Sequence, residues 1–206
     1  MLSRDKIFII SALVVFIIAG CAKEYSPEIQ KYINEVEKSR VEKNEYMKND
    51  PSSPFNFKGK IEFHPLKYFD INPEFVFESK LTEYDPRDTV IILGTKGEER
   101  KLLRYGYFTF KYSGKEFKLN VYEGTSKTGE TYHMIQFTDK TTGEDTYGVG
   151  RYIDFELSSD KNIVYTIDFN LAYNPYCAYS KDYSCAIPTK EDHLDLAIEA
   201  GEKNYH

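Results

Sequence analysis

The sequence has no surplus of positive charge: 27 Lys and Arg stand against 33 Asp and Glu, a net charge of −6 that becomes −7 without residues 1–20. An acidic chain of mixed signs lacks the basic footprint that holds a phosphate backbone, so DNA and RNA are excluded as partners. Metal-binding patterns are missing too. The four histidines (His64, His133, His193, His206) never fall at zinc-knuckle spacing to a cysteine pair, and neither HExxH, Walker nor EF-hand order occurs, so no metal and no cofactor is expected. The loop Thr138 to Gly150 (TDKTTGEDTYGVG) has acidic residues around Gly143 but not the order of a calcium loop. Gly148 and Gly150 precede a strand rather than a helix, which argues against phosphate cradling. Gly124 to Gly129 (GTSKTG) misses the nucleophile elbow by one residue. There is no internal repeat, no low-complexity tract and no tryptophan. What the chain does have is 18 Tyr and 14 Phe within a 41% hydrophobic composition, which leans toward strands, and a length that suits one domain.

The first 20 residues read as an address. Arg4 and Lys6 precede an apolar run from Ile7 to Gly20 that is short for a span of about 20 residues, and Ile18, Ala19 and Gly20 lead into Cys21. This resembles the lipobox of bacterial lipoproteins. The resemblance implies a signal peptide over 1–20, lipidation of Cys21 and a chain anchored to a membrane outside the cytoplasm. Ala22 offers no support for retention in an inner membrane, and Lys23 and Glu24 favour the outer membrane or the cell surface.

A tether and helix are expected over 21–52. Ser26 suits an N-cap, with Pro27 at the first helical position and Glu28 in the first turn. Ile29, Ile33 and Val36 share a face with Tyr32 beside them, predicting two docked turns followed by a solvated, charged tail to about Lys48. Asn49 to Pro54 stops it. From Phe55 the period changes to two. Strands are expected over Glu74–Leu81, Thr89–Gly94, Leu102–Tyr112, Glu116–Tyr122, Tyr132–Thr138, Arg151–Leu157, Asn162–Phe169 and His193–Ala200. Ser113 and Gly114 form one hairpin turn. Short strands with turn signals between them and no alternating helices mean a mainly β fold: an antiparallel sandwich or barrel-like sheet with one N-terminal helix, occupying 53–203.

One stretch stands apart. Between Asp168 and His193 some twenty residues carry no apolar period, yet they contain no glycine, two prolines (Pro175, Pro188), four tyrosines (Tyr173, Tyr176, Tyr179, Tyr183) and Cys177 and Cys185. Such a loop is built to be ordered and packed on a sheet. Scattered anchors (Ser53-Pro54-Phe55, Leu66-Lys67-Tyr68-Phe69, Arg104-Tyr105-Gly106) lead to two denser blocks: Phe137, Asp139, Thr142, Gly143, Thr146-Tyr147-Gly148 and Gly150 to Asp154; then Asp168-Phe169-Asn170, Ala172 to Pro175, Cys177-Ala178-Tyr179, Cys185, Pro188 and Ala200-Gly201-Glu202. From Ser39 to Lys203 the chain resembles the bacterial and archaeal family catalogued as DUF1684. It departs at Glu191-Asp192-His193-Leu194, where Glu-Asn-Arg-Leu is more usual, and at Ala186, where Pro is. The family name supplies no activity.

Cys177 and Cys185 sit eight apart in a chain expected to be exported, where thiols tend to pair; a disulfide closing about nine residues would contribute roughly 2.5 kcal/mol. A metal site and a catalytic thiol are the competing uses. The polar candidates lie where strands meet loops: Arg151, Asp154, Asp168, Asn170 and Asn174. A carboxylate pair near an arginine could hold a polar ligand or divide acid and base roles, whereas Asp and Asn at loop starts commonly bond free backbone N–H groups. Tyr147, Tyr152, Tyr173, Tyr176 and Tyr179 each offer a flat apolar face and a hydroxyl, suited to a ring-bearing ligand such as a carbohydrate, though filling a core is their commoner use. Two readings follow. One is a lipid-anchored binding or accessory module with a Tyr-lined polar pocket between the 139–154 and 168–188 loops. The alternative is a hydrolase using Asp154 and Asp168 with Arg151, or Cys177 as nucleophile. No motif decides whether the chain is an enzyme.

Overall fold

The computed structural model describes residues 25–126 and 128–206. The segment expected to be a signal peptide, and Cys21 after it, lie outside the described residues. The chain opens with helix α1 (Pro27–Asn49), capped by the Ser26 hydroxyl, which accepts from the Ile29 amide at 3.3 Å. Among the described residues no helix is long and apolar enough to cross a membrane. Nine strands follow among the described residues: β1 (Val76–Ser79), β2 (Thr82–Glu83), β3 (Thr89–Leu93), β4 (Glu99–Tyr112), β5 (Lys115–Thr125), β6 (Thr131–Asp139), β7 (Arg151–Ile153), β8 (Tyr165–Asp168) and β9 (His193–Leu194).

The main sheet runs β2-β4-β5-β6-β7, with β3 also on β4 and the short β9 added parallel to β6. The second sheet is the antiparallel pair β1-β8. The fold is thus mainly β with sandwich-like sheets and one helix, as expected. Alternation along the long strands turns Phe108, Phe110, Leu119, Val121, Ile135, Phe137 and Ile153 to one side, where they meet Phe75, Ile167, Phe169, Ile198 and Ala200 in the principal core. The opposite face of β3–β6 is covered by residues 184–192. There Ile92, Leu102, Tyr122 and Ala186 pack together. The buried Asp192 pins this cover to the sheet, accepting from Asn120 Nδ2 (2.9 Å), the Tyr122 hydroxyl (2.8 Å) and the Thr189 amide (2.8 Å).

Three expectations need correction, and each has a physical reason. The docked face of α1 does not stop after Val36. Arg40, Lys43 and Met47 continue it, because the long cationic side chains bury their stems and find fixed partners: Arg40 Nη1 donates to the Phe69 carbonyl at 2.9 Å, and Lys43 Nζ pairs with Glu202 at 3.0 Å. Strand β7 ends at Ile153 rather than Leu157, since Phe155 leaves the ladder to pack edgewise on Phe108 and tilted on Tyr165. Residues 195–200 are not a strand. Beyond one backbone bond to the chain after β6, from the Lys140 amide to the Leu196 carbonyl at 3.0 Å, they are held by side chains, with Asp139 Oδ2 accepting from the Ile198 amide at 3.0 Å and Arg151 Nη2 donating to the Ile198 carbonyl at 2.9 Å. Gly201 follows with φ +76°, and a Cβ there would stand 2.6 Å from the carbonyl oxygens of Phe169 and Ala172, so only glycine fits.

Candidate functional site

The long segment after β8 is ordered, as its composition predicts. Asp168 caps a short turn at Phe169–Leu171 by accepting from the Asn170 amide at 2.8 Å. The segment then pairs with the edge of β7 through reciprocal Tyr152–Tyr173 backbone bonds of 2.9 Å, makes a second turn at Tyr176–Ala178, and returns along β3, where the Ile187 amide donates to the Leu93 carbonyl at 2.8 Å. Between this segment, the ends of β7 and β8, and the inner face of α1 lies a cleft of about 610 Å³. That volume suits a small ligand.

Tyrosines make much of its wall. Tyr46 from α1 reaches Tyr176 hydroxyl to hydroxyl at 3.1 Å, Tyr183 stands edge-on to Tyr176 with ring centroids 5.2 Å apart, and Tyr152 and Tyr173 continue the lining. Two carboxylates face the same space. Asp154 accepts from the Tyr173 hydroxyl at 2.8 Å, and Asp168 accepts from the Tyr32 hydroxyl at 2.8 Å. Among the described residues the one lining cation, Lys43, lies 4.5 Å over the Tyr173 ring and is neutralised by Glu202. The cleft is therefore rich in hydroxyls and rings, with a negative edge.

The phenols are held as neutral donors. Burial, reinforced by a neighbouring carboxylate, pushes Tyr32 (beside Asp168), Tyr173 (beside Asp154) and Tyr179 (beside Glu202) above the ordinary value of 10.0, and burial does the same for Tyr152. A folded-state value raised above the unfolded one gives stability that is complete below pH ~10 and lost as pH climbs beyond it. Titration to alkaline pH should therefore hold back the phenolate absorbance of these four tyrosines until circular dichroism reports unfolding. Smooth ionisation of these tyrosines near pH ~10 in a chain still folded would contradict the burial argument.

The sequence-predicted residues divide. Asp154, Asp168 and Tyr173 line the cleft together with Cys185. Arg151 does not reach it. Its side chain is 0% exposed on the core side of β7, donating to Asp139 Oδ2 at 2.9 Å and to the carbonyls of Ile198 and Ala200. Period-two alternation accounts for this, since Arg151 shares the inward face with Ile153 while Tyr152 faces the cleft. Asn170 is buried as a tie, its side chain accepting from the Asn72 amide at 2.8 Å and donating to the Asn72 carbonyl at 2.9 Å. Asn174 is also buried and donates to Glu202 Oε1 at 3.2 Å and the Lys203 carbonyl at 2.8 Å. Tyr147 packs in a side cluster with Phe55, Met47 and Tyr205, and its hydroxyl donates to the Cys177 carbonyl at 3.2 Å. Cys177 and Cys185 are neighbours but carry free thiols, not the expected disulfide; the Cys177 amide donates to Cys185 Sγ at 3.3 Å. Among the described residues no group of three or more His, Cys, Asp or Glu could hold a metal ion.

Sequence reasoning missed the helix's share of the wall: Ser39, Lys43, Tyr46 and Met47. The signal was present in the spacing of Val36, Arg40, Lys43 and Met47, which extends the first-turn stripe by three- and four-residue steps. Charged residues in that stripe concealed it.

Comparison with known proteins is consistent with this architecture. A family model described as "Protein of unknown function (DUF1684)" matches residues 61–203. A solution NMR structure of an uncharacterized protein of Haloarcula marismortui is similar at a TM-score of 0.61 and 27% identity, covering 85% of this chain and 96% of that one. No curated protein matches.

Proposed function

We propose that this chain, which belongs to the DUF1684 family, is a lipid-anchored binding module of the cell envelope whose cleft takes a small polar, ring-bearing ligand of the carbohydrate class. The observation that carries the reading is the convergence of Tyr46, Tyr152, Tyr173, Tyr176 and Tyr183 with Asp154 and Asp168 around one cleft. Tyrosine faces stack on the apolar faces of a sugar ring, and fixed hydroxyls and carboxylates match its hydroxyls. The negative edge favours neutral and amino sugars over acidic ones. Lipidation at Cys21 would place the anchor a few residues before α1, the helix that forms one wall of the cleft, so the site would stand close to the surface of the outer membrane or cell.

The arrangement suits binding better than acid–base chemistry. Asp168 already accepts from Tyr32, the Asn170 amide at 2.8 Å and Asn170 Nδ2 at 3.0 Å, and Asp154 accepts from Tyr173. Arg151 is out of reach of anything in the cleft, and Cys177 does not line it.

Calorimetric titration of the soluble domain with a panel of neutral, amino and acidic sugars tests the reading. A neutral or amino sugar should bind, and Tyr176→Ala and Asp154→Asn should each weaken it by about tenfold or more, which corresponds to ~1.4 kcal/mol. In cells the full chain should fractionate with membranes, and Cys21→Ser should release it. No binding by any sugar class, or affinities untouched by both cleft substitutions, would remove the proposal.

A further inference from the structure

Cys177 and Cys185 are held side by side by groups other than each other. The Cys185 backbone is fixed to the turn after β3 from both sides: the Thr95 amide donates to the Cys185 carbonyl at 2.9 Å, and the Cys185 amide donates to Thr95 Oγ1 at 3.2 Å. Cys177 sits in the Tyr176–Ala178 turn, where the Ala178 amide donates to the Pro175 carbonyl at 2.8 Å. Cys185 Sγ accepts from the Cys177 amide at 3.3 Å, which sets the two cysteines side by side. The Tyr147 hydroxyl lies 3.8 Å from Cys177 Sγ, a donor for a thiolate. Both cysteines are half-buried rather than sealed, and Cys185 lines both the tyrosine cleft and a shallower recess of about 300 Å³ beside Arg100, Tyr132 and Met134. Cys177 lines neither, so a small reagent meets it at its own half-exposed surface beside Cys185.

From this geometry we propose that Cys177 and Cys185 form a thiol–disulfide exchange site for low-molecular-weight disulfides, Cys177 attacking and Cys185 resolving. The Cys177 thiolate attacks one sulfur of the external disulfide, forming a mixed disulfide and expelling a thiolate that takes up a proton. Cys185 gives up its proton to solvent and attacks the Cys177 sulfur, breaking the mixed bond and releasing the second external thiolate, which is protonated in turn. The protein dithiol is oxidised by two electrons, and one external disulfide is reduced to two thiols. The direction follows from the environment. The Cys185 thiol and the Tyr147 hydroxyl stabilise the Cys177 thiolate and bring its pKa down to about 7 against burial, whereas hydrogen bonding to Cys177 and burial raise that of Cys185. The proposal stands on the sulfur geometry and does not depend on what fills the cleft.

The test uses the full chain with Cys21→Ala, so that only the pair is counted, and oxidised glutathione as the probe. Both thiols should disappear together without retained glutathione, mass spectrometry should show the 177 and 185 peptides linked, and dithiothreitol should restore both thiols. In Cys185→Ser, glutathione should remain on Cys177, at a rate that rises with pH through a midpoint near 7. In Cys177→Ser, the adduct on Cys185 should form at least ~10-fold more slowly near neutral pH. Failure of the folded chain to react, two separate adducts with no internal bond, or equal rates for the two single variants would overturn the assignment.

Discussion

Replacing Arg151 with alanine should cost about 3–5 kcal/mol of stability, the loss typical of removing one partner from a buried ion pair and a large share of the margin of a domain of ordinary stability. Both members of the Arg151–Asp139 pair are 0% exposed at the side chain, so the Asp139 charge would stay buried without its counter-ion. Burial pulls the Arg151 pKa below its ordinary value while Asp139 opposes that shift, and a guanidinium stays charged in either case. The loss goes beyond charge. Arg151 also donates to the carbonyls of Ile198 and Ala200, and these bonds stand where a strand ladder would otherwise hold residues 195–200. Arg151→Lys keeps the charge but not the planar fork, and should recover only part of the loss. Urea denaturation provides the measure, with a change below ~1 kcal/mol for Arg151→Ala sinking the argument. Whatever variant remains folded should keep the sugar affinity proposed for the cleft, because Arg151 lies behind the cleft and not in it. That outcome separates a structural arginine from an anion-binding one.

Arg151 also marks how far the sequence could be read. Strands β3 to β6 and their alternation were legible because each side chain answers to one local question, core or solvent. The hairpin turn was legible because Ser113 and Gly114 adopt positive φ at 48° and 76°, as a tight turn requires. Ordering of the 168–188 segment could be inferred from its lack of glycine and its wealth of rings. What stayed hidden were pairings across more than a hundred residues. Tyr32 to Asp168 and Lys43 to Glu202 join the helix to β8 and to the C-terminal segment, and local periodicity carries no record of either. A charged residue in a helical stripe reads as solvated until its counter-ion is known, and a polar residue at a strand end reads as functional until its backbone partners are. Asn170 and Asn174 illustrate the second case: both were candidates for a pocket, and both are spent on buried hydrogen bonds.

The same long-range logic makes Glu202 the second sensitive position, and the one where stability and binding should fail together. Its carboxylate, 1% exposed, accepts from Lys43 Nζ at 3.0 Å, from the Asn174 amide at 3.3 Å, from Asn174 Nδ2 at 3.2 Å and from the Tyr179 hydroxyl. One side chain thus joins α1, the loop after β8 and the C-terminal segment, the parts that frame the cleft from three directions. Glu202→Ala leaves a half-buried ammonium, a buried phenol and a buried amide without their acceptor, and should cost about 3–4 kcal/mol. Glu202→Gln preserves the shape and one acceptor, and should cost less, about 2 kcal/mol, with Lys43 unpaired. The milder variant is the informative one. Once Lys43 loses its counter-charge only the face of the Tyr173 ring is left to hold it, so the cleft wall contributed by α1 should loosen and the sugar affinity proposed for the cleft should fall with stability. In Arg151 variants, by contrast, stability should fall alone. Measuring unfolding free energy and sugar affinity on Glu202→Gln decides it: a destabilised protein that binds as tightly as before would mean that α1 is a strap on the outside of the domain and no part of a binding site.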